Sequence, residues 1–215
     1  MRYLIVSGGM ATDAFVSETV KNGGYDVVMA VDSGMEFLHR IGVTPDIIVG
    51  DLDSASSETL DYFRQKEQIY MCILNPEKDD TDTEFAIREA IRRGAKEISI
   101  IAGTGTRLDH VLGNVALLGI GLEENVQICL MDEHNRIRMV DKPVTLQKAE
   151  QYGNYISLLP WSEEVTGVTL TGFKYLLSDY TMKKCSSLGI SNEILDEEAE
   201  VCLNSGYLLV IEARD

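Results

Sequence analysis

The sequence predicts an α/β domain, a mostly parallel sheet with helices on both faces, followed by an all-β sandwich domain. Three observations lead there. Through residue 124, short Val- and Ile-rich runs alternate with helical patterns, as in strand–helix–strand units. Those runs are continuously apolar, as strands covered on both faces are. From residue 125 onward clear helical patterns cease. Short runs then follow one another between turn residues, several alternating polar and apolar positions, which suits half-buried antiparallel strands. The boundary is therefore expected near 122–127, giving domains of 1–124 and 125–215.

Taken in order, "YLIVSGG" (3–9), "VVMAVDSG" (27–34), "DIIVGD" (46–51), "IYMCIL" (69–74) and "EISIIAG" (97–103) are the strands of the first domain. Helices are expected near 12–21, 34–41, 57–67, 82–93 and 110–121. In the fourth, Ile87, Ala90 and Ile91 fall at i, i+3 and i+4 and form one apolar stripe. The second domain's strands are "VQICLMD", "NRIRMVD", "VTLQKA", "NYISLLP", "VTGVTLTG", "AEVCLN" and "GYLLVIEA". "LDEEAE" (195–200) reads as an acidic surface turn.

Composition narrows the function classes. The chain of 215 residues is long enough for a sizeable core, and its 45% hydrophobic and 25% charged content is that of a globular protein. Its net charge of −16 argues against nucleic-acid and anionic-membrane partners, which call for clustered Lys and Arg. The same charge is compatible with a cationic ligand, or with metal ions that bridge to phosphates. No stretch approaches the roughly 18 apolar residues of a membrane span. The apolar part of "MRYLIVSGGM" is too short for a signal-peptide core and reads as a first buried strand. The four cysteines, Cys72, Cys129, Cys185 and Cys202, show no CxxC spacing and read as buried or idle thiols. A cytoplasmic location is the expectation.

In an open α/β sheet, ligands bind beyond the carboxyl ends of the strands. Here those ends read Ser7-Gly8-Gly9, Asp32-Ser33-Gly34, Asp51-Leu52-Asp53-Ser54, the segment "EKDDTDTE" (77–84), and "GTGTRLDH" (103–110). One such aspartate is unremarkable; aspartates after four successive strands are harder to dismiss. In extended backbone Asp51 and Asp53 point the same way, so both carboxylates can reach one hard cation such as magnesium. The competing reading is that Ser54 or Asp53 caps the helix beginning near residue 57. An EF-hand is excluded, because Ser56 and Phe85 stand where its sixth-position glycine is needed.

Thr81 and Glu84 form a capping box, which explains part of the acidity around Asp79, Asp80 and Asp82. The remainder suits metal or phosphate binding, and Lys78 is either a solvated side chain or a phosphate contact. "GTGTRLDHVLGN" (103–114) is not a dinucleotide fingerprint, since Leu108 occupies the third glycine position, and no P-loop motif occurs. It remains a Gly/Thr loop entering a helix, where backbone amides and Arg107 suit phosphate. Asp109 is a metal ligand or a cap. His110 is a capping or packing residue or a catalytic one, and His39 and His134 have no partner visible in sequence.

These motifs, in this order, resemble the thiamine pyrophosphokinase family. The resemblance rests on "DSG" (32–34), "PDIIVGDLDS" (45–54), "DDTDTEFA" (79–86) and "GTGTRLDHVLGN" (103–114). It continues through "ISLLP" (156–160), "GVTLTGFKYLL" (167–177), "GISNE" (189–193) and "GYLLVI" (206–211). Two positions depart from it: Phe85 stands where the family often has Lys, and Trp161 where a smaller residue is common.

The resemblance implies transfer of a diphosphate group from ATP to the hydroxyethyl oxygen of thiamine, releasing AMP. It also implies a homodimer with thiamine between the sandwich of one subunit and the α/β domain of the other. By it, Asp51, Asp53 and Asp82 hold Mg2+, and these with Asp109 form the catalytic set. Asp32, Ser33, Gly34, Asp79, Thr81, Gly103, Arg107, His110 and Asn114 belong to the ATP site, and Ser191 and Asn192 lie by thiamine. Read without the resemblance, Ser191-Asn192-Glu193 is an Asx-type turn between strands. The rival functions are another magnesium-dependent nucleotide-using transferase and a non-catalytic nucleotide or thiamine sensor.

Overall fold

The structure is a computed structural model that describes residues 1–51, 55–74 and 80–215. The chain divides into two compact units, Met1–Glu133 and His134–Asp215.

In the first unit six strands form a parallel sheet. They are β1 (Arg2–Val6), β2 (Val27–Val31), β3 (Ile47–Gly50), β4 (Tyr70–Ile73), β5 (Glu97–Ile101) and β6 (Gln127–Met131), in the order β4-β3-β2-β1-β5-β6. The helices are α1 (Asp13–Asn22), α2 (Gly34–Arg40), α3 (Ser57–Arg64), α4 (Asp82–Arg92), α5 (Leu108–Leu117) and α6 (Gly119–Glu124). Strand parity sorts the core into two layers. Leu4, Val6, Ala30, Ile48 and Ile101 face one way, packed with Val16 of α1, Met35 and Leu38 of α2, and Phe63 of α3. On the other face α4 crosses β1, β2 and β3 and buries Thr83, Ala86, Ile87 and Ala90. Each fully buried Leu, Ile or Phe contributes roughly 1.5–3 kcal/mol, so these layers dominate the unit's stability.

Three details depart from the sequence reading. The last expected helix is two, α5 and α6, broken at Leu118. β4 is an edge strand with Tyr70 and Ile73 exposed, not a strand covered on both faces. The division between units falls after Glu133 and not at 124, because Gln127–Met131 pairs in parallel with β5.

The second unit is an antiparallel sandwich. One sheet is β7 (Asn135–Val140), β13 (Leu208–Ala213) and β9 (Tyr155–Pro160). The other runs β11 (Leu177–Lys183), β10 (Glu164–Thr171), β12 (Glu198–Cys202), β8 (Val144–Gln147). Its core interleaves Ile156, Leu158, Leu208 and Val210 with Leu146, Val168, Leu170, Met182 and Val201, the two inner faces of a sandwich. β11 has no counterpart in the sequence reading. The acidic run 195–200 is a turn only up to Glu197, since Glu198 already begins β12.

Candidate active site

The strand order reverses direction between β1 and β5, and the crevice of such a sheet opens there. A cleft of about 880 Å³ occupies that position. Its floor is made of closely approaching backbones. The Gly9 N–H donates to the Ala102 carbonyl at 2.7 Å and the Met10 N–H to the Thr104 carbonyl at 2.7 Å. A Cβ on Gly9 would lie 2.3 Å from the Thr104 carbonyl oxygen, so no other residue fits without moving backbone. Asp32 and Ala102, which directly follow β2 and β5, both adopt left-handed backbone, with φ of 47° and 52°. That conformation costs a non-glycine residue roughly 1–2 kcal/mol, and such strain concentrates at functional sites.

Two helices begin at the cleft. Thr81 caps α4, its hydroxyl accepting the Glu84 N–H at 3.2 Å, as the capping box predicts. α5 is entered through Arg107, which makes no side-chain cap bond, and in its first turn the Asp109 carboxylate accepts the His110 N–H at 3.0 Å. The start of α1 is closed by the chain itself, since the Thr12 N–H donates to the Glu133 carboxylate at 2.7 Å. The Arg107 guanidinium grips Asp109 with Nε at 3.2 Å and Nη2 at 2.6 Å. The hydrogen bonds from Arg107, aided by the His110 N–H, hold the Asp109 carboxyl at about 2.

This ion pair has a testable signature. A depressed carboxyl pKa keeps the pair intact from neutral pH down to about 2, and it is lost only as Asp109 takes up a proton there. In Arg107→Gln the Asp109 midpoint is expected to rise into the ordinary aspartate range, read by carboxyl-carbon NMR titration.

The cleft gathers Asp32, Ser33, Thr81, Asp82, Gly103, Arg107, Asp109, His110 and Asn114 from the residues named by sequence. Asn114 is half-buried and donates its side-chain N–H to the Gly103 carbonyl at 2.7 Å, holding the loop. Gly34 lies beneath, where a Cβ would meet the Val6 carbonyl oxygen at 2.0 Å. Asp51 stands half-buried directly after β3 and is not among the residues lining the cleft. Asp53, Asp79, Lys78 and Ser54 lie outside the described residues. The helix after β3 is capped by Ser56, whose hydroxyl accepts the Thr59 N–H. Its entry is further tied to α2, because Glu36 accepts the Ser56 N–H and the Thr59 hydroxyl, both at 2.7 Å. Burial pushes the Glu36 carboxyl up, but these bonds prevail and its pKa is lowered.

Among the described residues no three carboxylate, histidine or cysteine side chains converge as a metal cluster. The donor chemistry nevertheless fits magnesium. Asp51 leaves β3 and Asp82 opens α4, which packs on β1, β2 and β3. Magnesium commonly takes only one or two carboxylates beside phosphates and water.

In the second unit Ser191 is left-handed, φ 57°, and its N–H donates to the Ser157 hydroxyl at 3.0 Å. The buried Asn192 side chain accepts the Tyr175 and Glu193 N–H groups and donates to the Tyr175 carbonyl at 2.7 Å. It thus fastens the 172–177 segment to the 189–195 loop, leaving Tyr175, Leu176, Leu188 and Ile190 exposed. Sequence reasoning passed over Ser7 and Thr83, two small hydroxyls in the cleft wall. In the sequence Ser7 is only a strand end and Thr83 only part of a helix start.

A parallel sheet with an anion-ready cleft at its switch point, joined in one chain to a β-sandwich, defines a two-domain phosphate-handling α/β protein. The chain matches the family description "Thiamin pyrophosphokinase, catalytic domain" over residues 22–130. It matches "Thiamin pyrophosphokinase, vitamin B1 binding domain" over residues 143–208. It is 33% identical to the thiamine pyrophosphokinase of Bacillus subtilis over 187 residues, 87% of each chain. The crystal structure of a thiamine pyrophosphokinase from Bacillus subtilis superposes with a TM-score of 0.90 at 31% identity, covering 100% of both chains. The Candida albicans thiamin pyrophosphokinase, at 16% identity and a TM-score of 0.80 over 99% of this chain and 88% of its own, shares the fold. The chain belongs to the thiamine pyrophosphokinase family.

Proposed function

We propose that this chain transfers a diphosphate group from ATP to the hydroxyethyl oxygen of thiamine, giving thiamine diphosphate and AMP. The observation that carries this reading is the switch-point cleft, where Asp82, Arg107 and Asp109 stand at the first turns of two helices in a chain of this family. The thiamine oxygen attacks the β-phosphorus of ATP. The bond from that phosphorus to the α–β bridging oxygen breaks, AMP departs, and the hydroxyl proton leaves to a carboxylate or water. Such transfer needs positioning and charge neutralisation more than covalent help.

Arg107 supplies a guanidinium to the phosphates, beside the N-terminus of α5. The floor glycines let the backbone approach closely. Asp109, held at about 2 by Arg107, is a poor proton acceptor, so its role is to orient Arg107. Asp51, Asp53 and Asp82 are the residues that would hold Mg2+. When bound, magnesium neutralises charge on the phosphate oxygens. Asp32, Ser33, Gly34, Asp79, Thr81, Gly103, His110 and Asn114 complete the nucleotide site in this reading.

Thiamine is assigned to the sandwich unit at Ser191 and Asn192, with the active form a homodimer and thiamine between subunits. No helix among the described residues is long and apolar enough to cross a membrane, and a cytoplasmic location is part of the proposal. Incubation with ATP, magnesium and thiamine, followed by nucleotide analysis, tests the reading. AMP with thiamine diphosphate is expected. ADP with thiamine monophosphate would replace it by an ordinary kinase, and absence of turnover would leave a binding protein.

A further inference from the structure

Ser7, the residue after β1, and Thr83, in the first turn of α4, touch hydroxyl to hydroxyl at 3.2 Å. Both line the cleft and both are buried, Ser7 at 4% and Thr83 at 8% exposure. A hydroxyl pair holds two protons, and their mutual hydrogen bond uses one. The second has no acceptor among the described residues. Because both hydroxyls line the cleft, that proton can be offered to a group bound there. The side chains are otherwise well fixed. The Ser7 N–H donates to the Ile101 carbonyl at 2.9 Å, and α4 is locked by its Thr81 cap two residues before Thr83.

Resting on the nucleotide reading above, we propose that Thr83 donates this second proton to a phosphate oxygen of the nucleotide. Ser7 donates to Thr83 and so aims it. Thr83 is the outer member of the pair, and it follows Asp82 directly in the helix start that faces the cleft. Thr83 is thus a binding residue and Ser7 a positioning residue that acts only through it.

The test is calorimetric titration of ATP with magnesium into the full chain and into Thr83→Val, Thr83→Ser, Ser7→Ala and the Ser7→Ala/Thr83→Val double variant. Thr83→Val is expected to bind ATP roughly tenfold or more weakly, the worth of a hydrogen bond to a charged group. Thr83→Ser keeps the hydroxyl and should bind within about twofold of the parent. Ser7→Ala should show a smaller loss, and the double variant should match Thr83→Val alone, because residues acting in series do not add. A purely structural pair would lower the Tm of these variants and leave ATP affinity unchanged, which would overturn the proposal. Additive losses would overturn the assignment of Ser7. A folded parent chain that binds no ATP would overturn the nucleotide reading itself, and this inference with it.

Discussion

Asp51→Asn is expected to lower kcat on the order of a hundredfold or more while the chain stays folded. Groups that only support metal ligands are commonly worth about 10- to 100-fold, and a ligand itself should be worth at least as much. The substitution keeps the shape of the side chain and removes its charge at the end of β3. The residue is half-buried outside the hydrophobic core, so packing is preserved. The magnesium concentration needed for half-maximal rate should rise alongside the loss in kcat. Activity against magnesium, with far-ultraviolet circular dichroism to report folding, decides the matter. Near-parental activity in Asp51→Asn would remove Asp51 from the proposed metal set. Asp82→Asn should behave alike, because the proposal has the two carboxylates serve one ion from neighbouring elements. Asp109→Asn should behave differently. It releases Arg107, so its effect is expected on ATP affinity more than on the magnesium requirement.

Much of this architecture can be read from the chain, for physical reasons that also explain the gaps. β1, β2, β3 and β5 are covered on both faces, and burial on both faces permits continuous apolar runs that stand out against bounding Gly and Asp. β6 alternates in burial, which imitates a half-buried antiparallel strand and drew the boundary to residue 124. β11 left no comparable trace. Of "LSDYTMK" only Met182 is buried, and its pairing with β10 is interrupted by register shifts.

The cleft was legible because the edge rule for parallel sheets needs only strand ends, and Arg107, Asp109 and Asp82 are chemically conspicuous there. Ser7 and Thr83 were not, since small hydroxyls serve equally as caps, turns and ligands. Asn192 carries a structural role beside the one proposed for it. Its motif drew a ligand reading, and its side chain makes three bonds to backbone groups of residues 175 and 193.

Glu212→Ala is expected to be the most destabilising single change in the sandwich unit. Leu208, Val210 and Glu212 alternate onto one face of β13, and the first two lie in the core, so the carboxylate faces inward as well. It is 1% exposed. Arg136 stands directly opposite on β7 and meets it at 2.8 and 2.7 Å, Arg138 reaches it at 3.0 Å, and the Tyr152 N–H donates at 2.9 Å. Truncation takes the buried carboxylate away from two guanidiniums and from the Tyr152 N–H. Breaking a buried pair from one side costs about 3–5 kcal/mol. The arginines retain 28% and 31% exposure, which argues for the lower end, about 3 kcal/mol. For a chain of this length each kcal/mol moves Tm by about 2–4 °C, so a fall of roughly 6–12 °C is expected in thermal unfolding. Replacing the cluster together, as Glu212→Leu with Arg136→Met and Arg138→Met, should recover most of that loss, since no charge is then stranded. An alanine variant melting within about 2 °C of the parent would show that water already reaches the two arginines, and that the cluster contributes little to holding the sandwich closed.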